Sequence, residues 1–397
     1  MSNVLVEEQK LTATEPQLLD TPLQKPERNM GVELFRIFSM FLVVCLHLFG
    51  HGGVMGATKD LSGTYKLASF LQVITYCSVN CYALISGFAN VKTKFKFRRF
   101  TYLWLQTVFL ITVVNIAVHF LPLGVDVKKE WWIAGFLPLT KRELWYLCAY
   151  FFMYPLLPVL NKGLLALNKR QHIAVMIMLQ APTVFRLIQD KDNYVLGGGY
   201  SAIWLICLYV IGAYFRIYGA PKWGKWFVTL PIFFVSAFAA WLAKILPEEL
   251  VARGLMSAEA REYTARENLI SYISPLVVIM SVMLLIFFMQ IKISNKTCKT
   301  VIATFAKATW GVFVIHVTSA FWYWKDFWGS FKKFGAYSPL KMMLYVFMAG
   351  LVVYVGLSVI SMLQDYLFKV LRVNKGADYL IDLPAKLSSK NKKTEQE

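Results

Sequence analysis

The sequence has little acidic charge and few charged residues for a chain of its length. Asp and Glu number 23 among 397 residues, against 42 Lys and Arg, so the net charge is +19. Charged residues make up 16% of the chain and hydrophobic residues 57%, and the mean hydropathy is +0.51. Soluble domains carry about 25% charged residues. The composition therefore excludes an ordinary soluble domain and indicates a protein that crosses the membrane many times.

Several patterns that would suggest other classes of protein are missing. The six cysteines have no CxxC spacing, and the histidines lack ligand spacing beyond the His47–His51 pair, so we predict no bound metal. No nucleic-acid-binding motif accompanies the basic residues, so we expect no nucleic-acid partner. We also find no internal repeat of the kind that inverted-repeat transporters have, and we expect neither a cleavable signal peptide nor an appended soluble domain.

The apolar segments predict an all-α integral membrane protein with about ten transmembrane helices in one bundle. The segments cover residues 31–50, 67–89, 100–121, 144–160, 172–189, 200–218, 226–246, 269–290, 301–323 and 340–364. Lys and Arg concentrate in alternate connecting segments, so the positive-inside rule puts both termini in the cytoplasm. We expect a disordered cytoplasmic tail over 1–29, a membrane domain over 30–372 and a basic cytoplasmic tail over 373–397.

The first apolar segment, residues 31–53, carries ionisable residues on one face. At about 100° per residue, Arg36 and His47 fall within roughly 20° of each other, and Glu33 and His51 each lie one turn beyond them. Such residues are expected to face a protein interior or a wet cavity. Histidine accepts protons near neutral pH, and arginine holds phosphate or a developing oxyanion. We predict that this face lines an active site; the alternative is a structural ion pair with hydrogen-bonded histidines.

Other polar or aromatic residues within or beside the apolar segments are further candidates. They are Asn80, Ser86, the basic loop over 92–100 with Lys94, Lys96, Arg98 and Arg99, then Trp145, Tyr146, Arg186 and His316. Each has an ordinary alternative, such as helix packing for the small residues, anionic-lipid binding for the loop and an interfacial aromatic belt for the Trp-Tyr pair. The loop would also suit an anionic cytoplasmic donor.

Taken in order, these motifs resemble the signature of the type-3 membrane acyltransferase family, bacterial integral membrane enzymes that acylate surface glycans. The similar segments are ExxR–x10–H over 33–47, SGF over 86–88 with the basic loop after it, 144–164, 200–218 and GVFVIH over 311–316. Their details favour the branch found in Gram-positive exopolysaccharide and capsule loci. Two details differ: Glu33 stands where Asp is common, and Arg98 and Arg99 are adjacent where many members have two arginines three apart.

The resemblance implies a ten-helix bundle in the bacterial plasma membrane that moves an acyl group, usually acetyl, from cytoplasmic acyl-CoA to a hydroxyl of a cell-surface or exported polysaccharide. Its partners would be membrane lipid and a glycan or lipid-linked glycan. Arg36 and His47 match the family's key residues. We expect His47 to act as general base, Arg36 to stabilise negative charge on the donor and Glu33 to hold Arg36. A covalent acyl intermediate on His47 stays open.

The remaining candidates would serve the donor or the acceptor. The loop residues Lys94, Lys96, Arg98 and Arg99 would bind the CoA phosphates, and the substrate positions would be His51, Asn80, Ser86, Trp145, Tyr146, Arg186 and His316.

Two rival hypotheses come from other functional classes. A transporter or flippase that moves an acyl donor or a lipid-linked glycan without chemistry would share the ten spans and the charged interior. A membrane glycan polymerase would need a large basic outer loop, whereas the outer loops here are modest and partly acidic. Acyl transfer should survive purification with soluble donor and acceptor, whereas transport needs a sealed compartment, so an assay in detergent separates the two main hypotheses.

Overall fold

The structure, a computed structural model, describes residues 28–140, 144–189, 192, 194–259 and 267–373. Nearly all of the predicted tails over 1–29 and 373–397 therefore lies outside the described residues. Within the described ranges the chain is helical and contains no strand, which confirms the all-α class. The described helices of eight or more residues are α1 Met30–Phe49, α2 Gly63–Asn90, α3 Phe97–Phe120, α4 Lys129–Phe136, α5 Trp145–Met153, α6 Leu157–Ala166, α7 Lys169–Gln189, α8 Ala202–Tyr218, α9 Trp226–Ala252, α10 Pro275–Met289, α11 Lys296–Val317 and α12 Pro339–Val370.

Six of the described helices are long and apolar enough to cross a membrane: α1, α2, α3, α9, α11 and α12. Two more, α8 and α10, are apolar but have only 17 and 15 residues. At 1.5 Å per residue these would be about 26 and 23 Å long. The chain is thus a multi-pass membrane protein. The count of ten spans and the cytoplasmic placement of both termini stay predictions.

The fourth predicted segment, 144–160, is not one continuous helix. The structure breaks it at a 3-10 turn, Tyr154–Leu156, into α5 and α6 of nine and ten residues. Pro155 lies in this turn and Pro158 at the start of α6. A proline has no N–H for the helical hydrogen bond, and its ring crowds the preceding turn. Two prolines three residues apart therefore account for the break.

Helix α1 lies in the middle of the bundle, where it contacts α2, α10, α11 and α12. Asn29 fixes its start in two ways. The Asn29 Oδ1 accepts a hydrogen bond from the Val32 N–H at 3.1 Å, and its Nδ2 donates to the Met289 carbonyl at 2.8 Å. The first bond caps the helix, and the second ties it to the end of α10. Since most of α1 is packed against neighbours, only a narrow strip remains to face open space.

Helices α2 and α8 approach each other so closely that their backbones touch. A Cβ on Gly87 would overlap the carbonyl oxygen of Tyr209, and a Cβ on Gly212 would overlap the carbonyl oxygen of Leu84. Only glycine permits this contact, as is common between membrane helices. Packing therefore explains the glycine of the SGF motif over 86–88.

Candidate functional site

A central cavity of about 560 Å³ runs alongside α1. Its wall is built from α1, α2, α3, α5, α11 and α12, together with residues that precede α1, α8 and α10 and with Trp322, which follows α11. Small-molecule sites in proteins commonly have volumes of roughly 300–1,000 Å³. The cavity is therefore large enough for part of a cofactor or a sugar, and its polar residues decide what it can hold.

The predicted face of α1 lines this cavity. Arg36, Met40, Val43 and His47 follow one another along its wall, at the spacing that puts residues on one side of a helix. The rise of the helix separates Arg36 from His47 by about 16 Å along the axis. We call the two regions the arginine end and the histidine end of the cavity.

At the arginine end, a carboxylate lies between two guanidinium groups. Glu33 Oε1 is 3.2 Å from Arg28 Nη2, and Glu33 Oε2 is 3.7 Å from Arg36 Nε. The Glu33 side chain is 10% exposed and that of Arg36 is 23% exposed, whereas that of Arg28 is 60% exposed. The Nε of Arg36 has no hydrogen-bond partner in the described part of the chain. The predicted contact of Glu33 with Arg36 is thus present.

An ion pair between Lys307 and Asp365 also lies at the arginine end. Lys307 Nζ lies 2.7 Å from Asp365 Oδ2, and the Tyr102 hydroxyl donates a hydrogen bond to Asp365 Oδ1 at 2.8 Å. These three residues and Arg99 also line the central cavity. The charges lining this end are therefore mainly positive, which suits an anionic ligand.

The histidine end brings together three of the chain's five histidines. The His47 ring centroid lies 5.0 Å from that of His316 and 4.9 Å from that of Trp322. The His51 ring stacks on Trp322 with centroids 3.9 Å apart, and its Nε2 donates to the Trp322 carbonyl at 2.7 Å. Partial burial lowers the pKa of His51, while this hydrogen bond acts in the opposite direction. No group of three metal-ligand residues capable of holding an ion is found in the described ranges.

Aromatic rings also line the histidine end. The Trp145 ring centroid lies 4.6 Å from that of Tyr200 and 5.9 Å from that of Tyr272, and the two tyrosine centroids are 5.1 Å apart. All three residues line the cavity, as does Tyr146. Tyrosine and tryptophan combine an apolar face with a polar edge. Such a wall suits a ligand that has both C–H faces and hydroxyl groups.

The buried side chain of Asn80 lies behind this wall rather than on it. Its Nδ2 donates to the Tyr272 carbonyl at 2.7 Å, and its Oδ1 accepts from the Trp204 Nε1–H at 3.1 Å. A polar side chain within a membrane helix needs such partners. The geometry therefore indicates that Asn80 holds the Tyr272 segment against α8. Asn80 would influence a bound ligand only through the position of Tyr272.

The basic loop divides between two cavities. Lys94 and Lys96 line a second cavity of about 220 Å³, and Arg99 lines both this and the central cavity. The Arg99 Nη1 donates to Asn90 Oδ1 at 3.0 Å, which fixes the guanidinium between them. Arg98 is in neither lining. Of the four predicted loop residues, the structure thus brings only Arg99 to the central cavity.

The remaining predicted residues fall in different places. Ser86, Trp145 and Tyr146 line the central cavity, whereas His51 and His316 are not part of its lining: His316 packs against His47, and His51 against Trp322. The Ser86 hydroxyl donates to the Tyr82 carbonyl at 2.9 Å. The side chain of Arg186 lies outside the described residues, although its backbone is part of α7.

Sequence reasoning missed several cavity residues, among them Arg28, Trp322, Lys307 and Asp365. Arg28 falls within the predicted tail over 1–29, where no structure was expected. A signal did exist for the last two, since Lys307 lies inside an apolar segment and Asp365 directly follows another. Opposite charges beside apolar helices are expected to pair with each other.

Comparison with known families bears on this arrangement. A profile of the acyltransferase 3 family, described as an acyltransferase domain, matches residues 29–363. The chain belongs to the acyltransferase 3 family. The match covers Arg36, His47 and nearly every other residue of the central cavity, and it confirms the resemblance at the level of the family. Comparison with curated proteins and with solved structures found no match.

This acyltransferase 3 protein is therefore a multi-pass membrane acyltransferase. The narrower assignments, namely the Gram-positive exopolysaccharide branch, the acyl donor and the acceptor, stay predictions. The functions of the individual cavity residues are also predictions, which the geometry now makes specific.

Proposed function

We propose that this acyltransferase moves an acyl group, acetyl in the simplest case, from acyl-CoA to a hydroxyl of a surface or exported polysaccharide. The observation that carries the proposal is the single cavity that connects Arg36 with His47. A donor at one end and an acceptor at the other would meet inside the protein. The proposed setting is the bacterial plasma membrane, with the arginine end facing the cytoplasm in accordance with the positive-inside rule.

The arginine end is the proposed site for the CoA phosphates. Arg28, Arg36, Arg99 and Lys307 line it, and Asp365 is the one acidic residue among the described residues of the cavity lining. Arginine binds phosphate through two parallel N–H bonds, and lysine adds a mobile positive charge. This assignment keeps Arg99 from the basic loop and adds Arg28 and Arg36 from around the start of α1 and Lys307 from α11.

The distance along α1 assigns different tasks to its two key residues. A slender pantetheine arm can cover the rise of about 16 Å from Arg36 to His47. The thioester would then lie beside His47 while the phosphates stay near Arg36. At that separation Arg36 is too far away to hold an oxyanion at the thioester, so its task is to bind the donor.

The histidine end is the proposed site for the acceptor. Trp145, Tyr200 and Tyr272 present aromatic faces on which the C–H face of a sugar ring can stack, and their polar edges can contact sugar hydroxyls. His47 lies at the same end. A sugar hydroxyl bound there would be within the region that the donor's thioester reaches.

The proposed chemistry is a direct transfer with His47 as general base. His47 accepts the proton of the glycan hydroxyl as its oxygen bonds to the thioester carbonyl carbon. The carbon–sulfur bond then breaks, and His47 returns the proton to the departing sulfur of CoA. The products are an acyl ester on the glycan and free CoA, with no change in oxidation state.

The test is an assay of the purified protein in detergent with radiolabelled acetyl-CoA, with and without the cell-envelope glycan of the bacterium that encodes it. We expect CoA release and glycan labelling by the wild type, and loss of both by at least about 100-fold in His47→Ala, since general base catalysis contributes roughly 100- to 10,000-fold. His119→Ala is the matched control, because His119 is an exposed histidine at the end of α3 and is not in the cavity lining.

Two results would contradict the proposal. Full activity in His47→Ala would remove His47 from the reaction. Binding of acetyl-CoA by the wild type without any CoA release, together with uptake of the label into sealed vesicles, would favour the transporter hypothesis.

A further inference from the structure

Two buried nitrogen atoms on neighbouring rings lack hydrogen-bond partners in the described part of the protein. They are Nδ1 of His47 and Nε2 of His316. The two ring centroids are 5.0 Å apart with the planes inclined by 46°. A buried polar nitrogen without a partner is costly, and such atoms in a native protein call for an explanation. One hydrogen bond between the two rings would satisfy both nitrogen atoms.

The protonation of His316 follows from its other nitrogen. His316 Nδ1 lies 2.6 Å from the Val312 carbonyl oxygen. A carbonyl oxygen only accepts hydrogen bonds, so Nδ1 must carry the proton. In a neutral imidazole the second nitrogen then bears a lone pair, which makes His316 Nε2 an acceptor. The unsatisfied atom of His316 therefore needs a donor.

We propose that His316 is the positioning residue of His47, an assignment that rests on the proposed function. His316 Nε2 accepts the Nδ1–H of His47, either directly after a small rotation of the ring or through one water molecule. Two imidazoles joined by an N–H···N bond of about 2.9 Å have centroids about 5 Å apart, which matches the separation of 5.0 Å. Both unsatisfied nitrogens then have partners.

This contact fixes the tautomer that the reaction requires. With the proton of His47 held on Nδ1, the lone pair lies on Nε2, the nitrogen left to face the cavity. Nε2 then accepts the proton of the acceptor hydroxyl and later returns it to the sulfur. His316 keeps its own proton throughout, so its task is to hold the His47 ring and its tautomer, as a second residue commonly does for a catalytic histidine.

A purely structural role for His316 makes a different prediction. His316 is fully buried, so its shape and its bond to Val312 could be all that matters. Asparagine can reproduce the Nδ1–H position and keep the bond to Val312, but it is too short to reach the Nε2 position. Glutamine can put an acceptor oxygen near the Nε2 position. His316→Gln and His316→Asn therefore separate the two roles.

The chain also offers a matched control. His172 is fully buried, its Nε2 bonds to the Val210 carbonyl at 3.0 Å, and its Nδ1 lacks a partner in the described part of the chain. It packs between Tyr214 and Tyr218, away from the cavity lining. His172→Asn and His172→Gln thus change an equally buried histidine that has no catalytic neighbour and that bonds to a carbonyl through the opposite ring nitrogen.

The experiment measures kcat and KM for CoA release from acetyl-CoA by each purified variant that elutes as the wild type does in size-exclusion chromatography. We expect kcat of His316→Asn to fall by about 10- to 100-fold, the effect of an unsatisfied buried donor, with KM unchanged. His316→Gln should retain at least about a third of the wild-type kcat, and both His172 variants should retain nearly all of it.

Several results would overturn the inference. Wild-type kcat in His316→Asn, equal loss in the two His316 variants, or greater loss in His316→Gln than in His316→Asn would each assign His316 a structural role. Failure of both His316 variants to fold, while the His172 variants fold, would do the same. No CoA release by the wild type would instead overturn the proposed function, so the two failures are distinguishable.

Discussion

Replacing Glu33 by glutamine should weaken the donor site, because it removes a charge without changing the shape of the side chain. Glu33 is the partner of two arginines, with Oε2 at 3.7 Å from Arg36 Nε and Oε1 at 3.2 Å from Arg28 Nη2. Once the carboxylate is neutral, the two guanidinium groups repel each other and neither is held. We expect Arg36 to leave the position in which it meets the donor.

The size of the effect can be bounded from the geometry. Two unit charges at 3.7 Å attract by about 4–5 kcal/mol at an effective dielectric constant near 20. The desolvation of both groups and the partial exposure of Arg36 offset much of this attraction. We therefore expect Glu33→Gln to lose about 1–3 kcal/mol of interaction free energy, between the values for exposed and for buried ion pairs. That range is equivalent to roughly a 5- to 150-fold fall in kcat/KM for acetyl-CoA. The exposed Arg28 contributes little.

The assay is CoA release at varied acetyl-CoA concentration, with Glu249→Gln as the control. Glu249 also pairs with basic residues, Lys66 and Arg253, but it lies on α9 outside the cavity lining. We expect kcat/KM of Glu249→Gln to stay within about twofold of the wild type, since this carboxylate contacts no residue of the arginine end. Unchanged kcat/KM in Glu33→Gln would refute the idea that this carboxylate holds Arg36.

Three further predictions concern other parts of the site. Arg36→Lys keeps the charge but loses the planar fork, so KM for acetyl-CoA should rise about tenfold; an unchanged KM would mean that charge alone matters. Asn80→Leu leaves the Tyr272 carbonyl without its donor and should lower stability by about 1–3 kcal/mol, seen as a lower midpoint of thermal unfolding in detergent; an unchanged midpoint would show that the bond contributes nothing. Partial burial lowers the pKa of His51 from its ordinary value of 6.5, although its hydrogen bond to Trp322 acts in the opposite direction. The unfolded chain therefore binds more protons there, so stability should fall as pH drops below about 6.5; His51→Gln should lose part of this dependence, and an identical pH profile would contradict the shift.

The sequence predicted the face of α1 because that prediction depends only on local geometry. The angular spacing of Glu33, Arg36 and His47 follows from 3.6 residues per turn once the segment is helical. The cost of charge in lipid then implies that this face meets a cavity, and Arg36 and His47 do line one. The family could also be identified from the order of the motifs, as the match over 29–363 confirms.

The same reasoning was less successful in two places. It drew one span over 144–160, where the local effect of Pro155 and Pro158 breaks the helix into two. It also grouped Lys94 and Lys96 with Arg99 because they are neighbours in the chain. In the fold, Arg99 lies in the first turn of α3 and is the one of these three residues that lines the central cavity. Lys94 and Lys96 precede the helix and line the smaller cavity.

By itself, the sequence determined a multi-pass helical protein, its family and a polar strip on α1, because hydrophobic length and helical periodicity are properties of single segments. Only the tertiary structure decided what meets that strip. Lys307 and Asp365 are 58 positions apart in the chain yet form an ion pair, and His316 reaches His47 across 269 positions. Such pairs depend on which helices pack together and in what register, and this information is held by all the packed side chains at once rather than by any one segment.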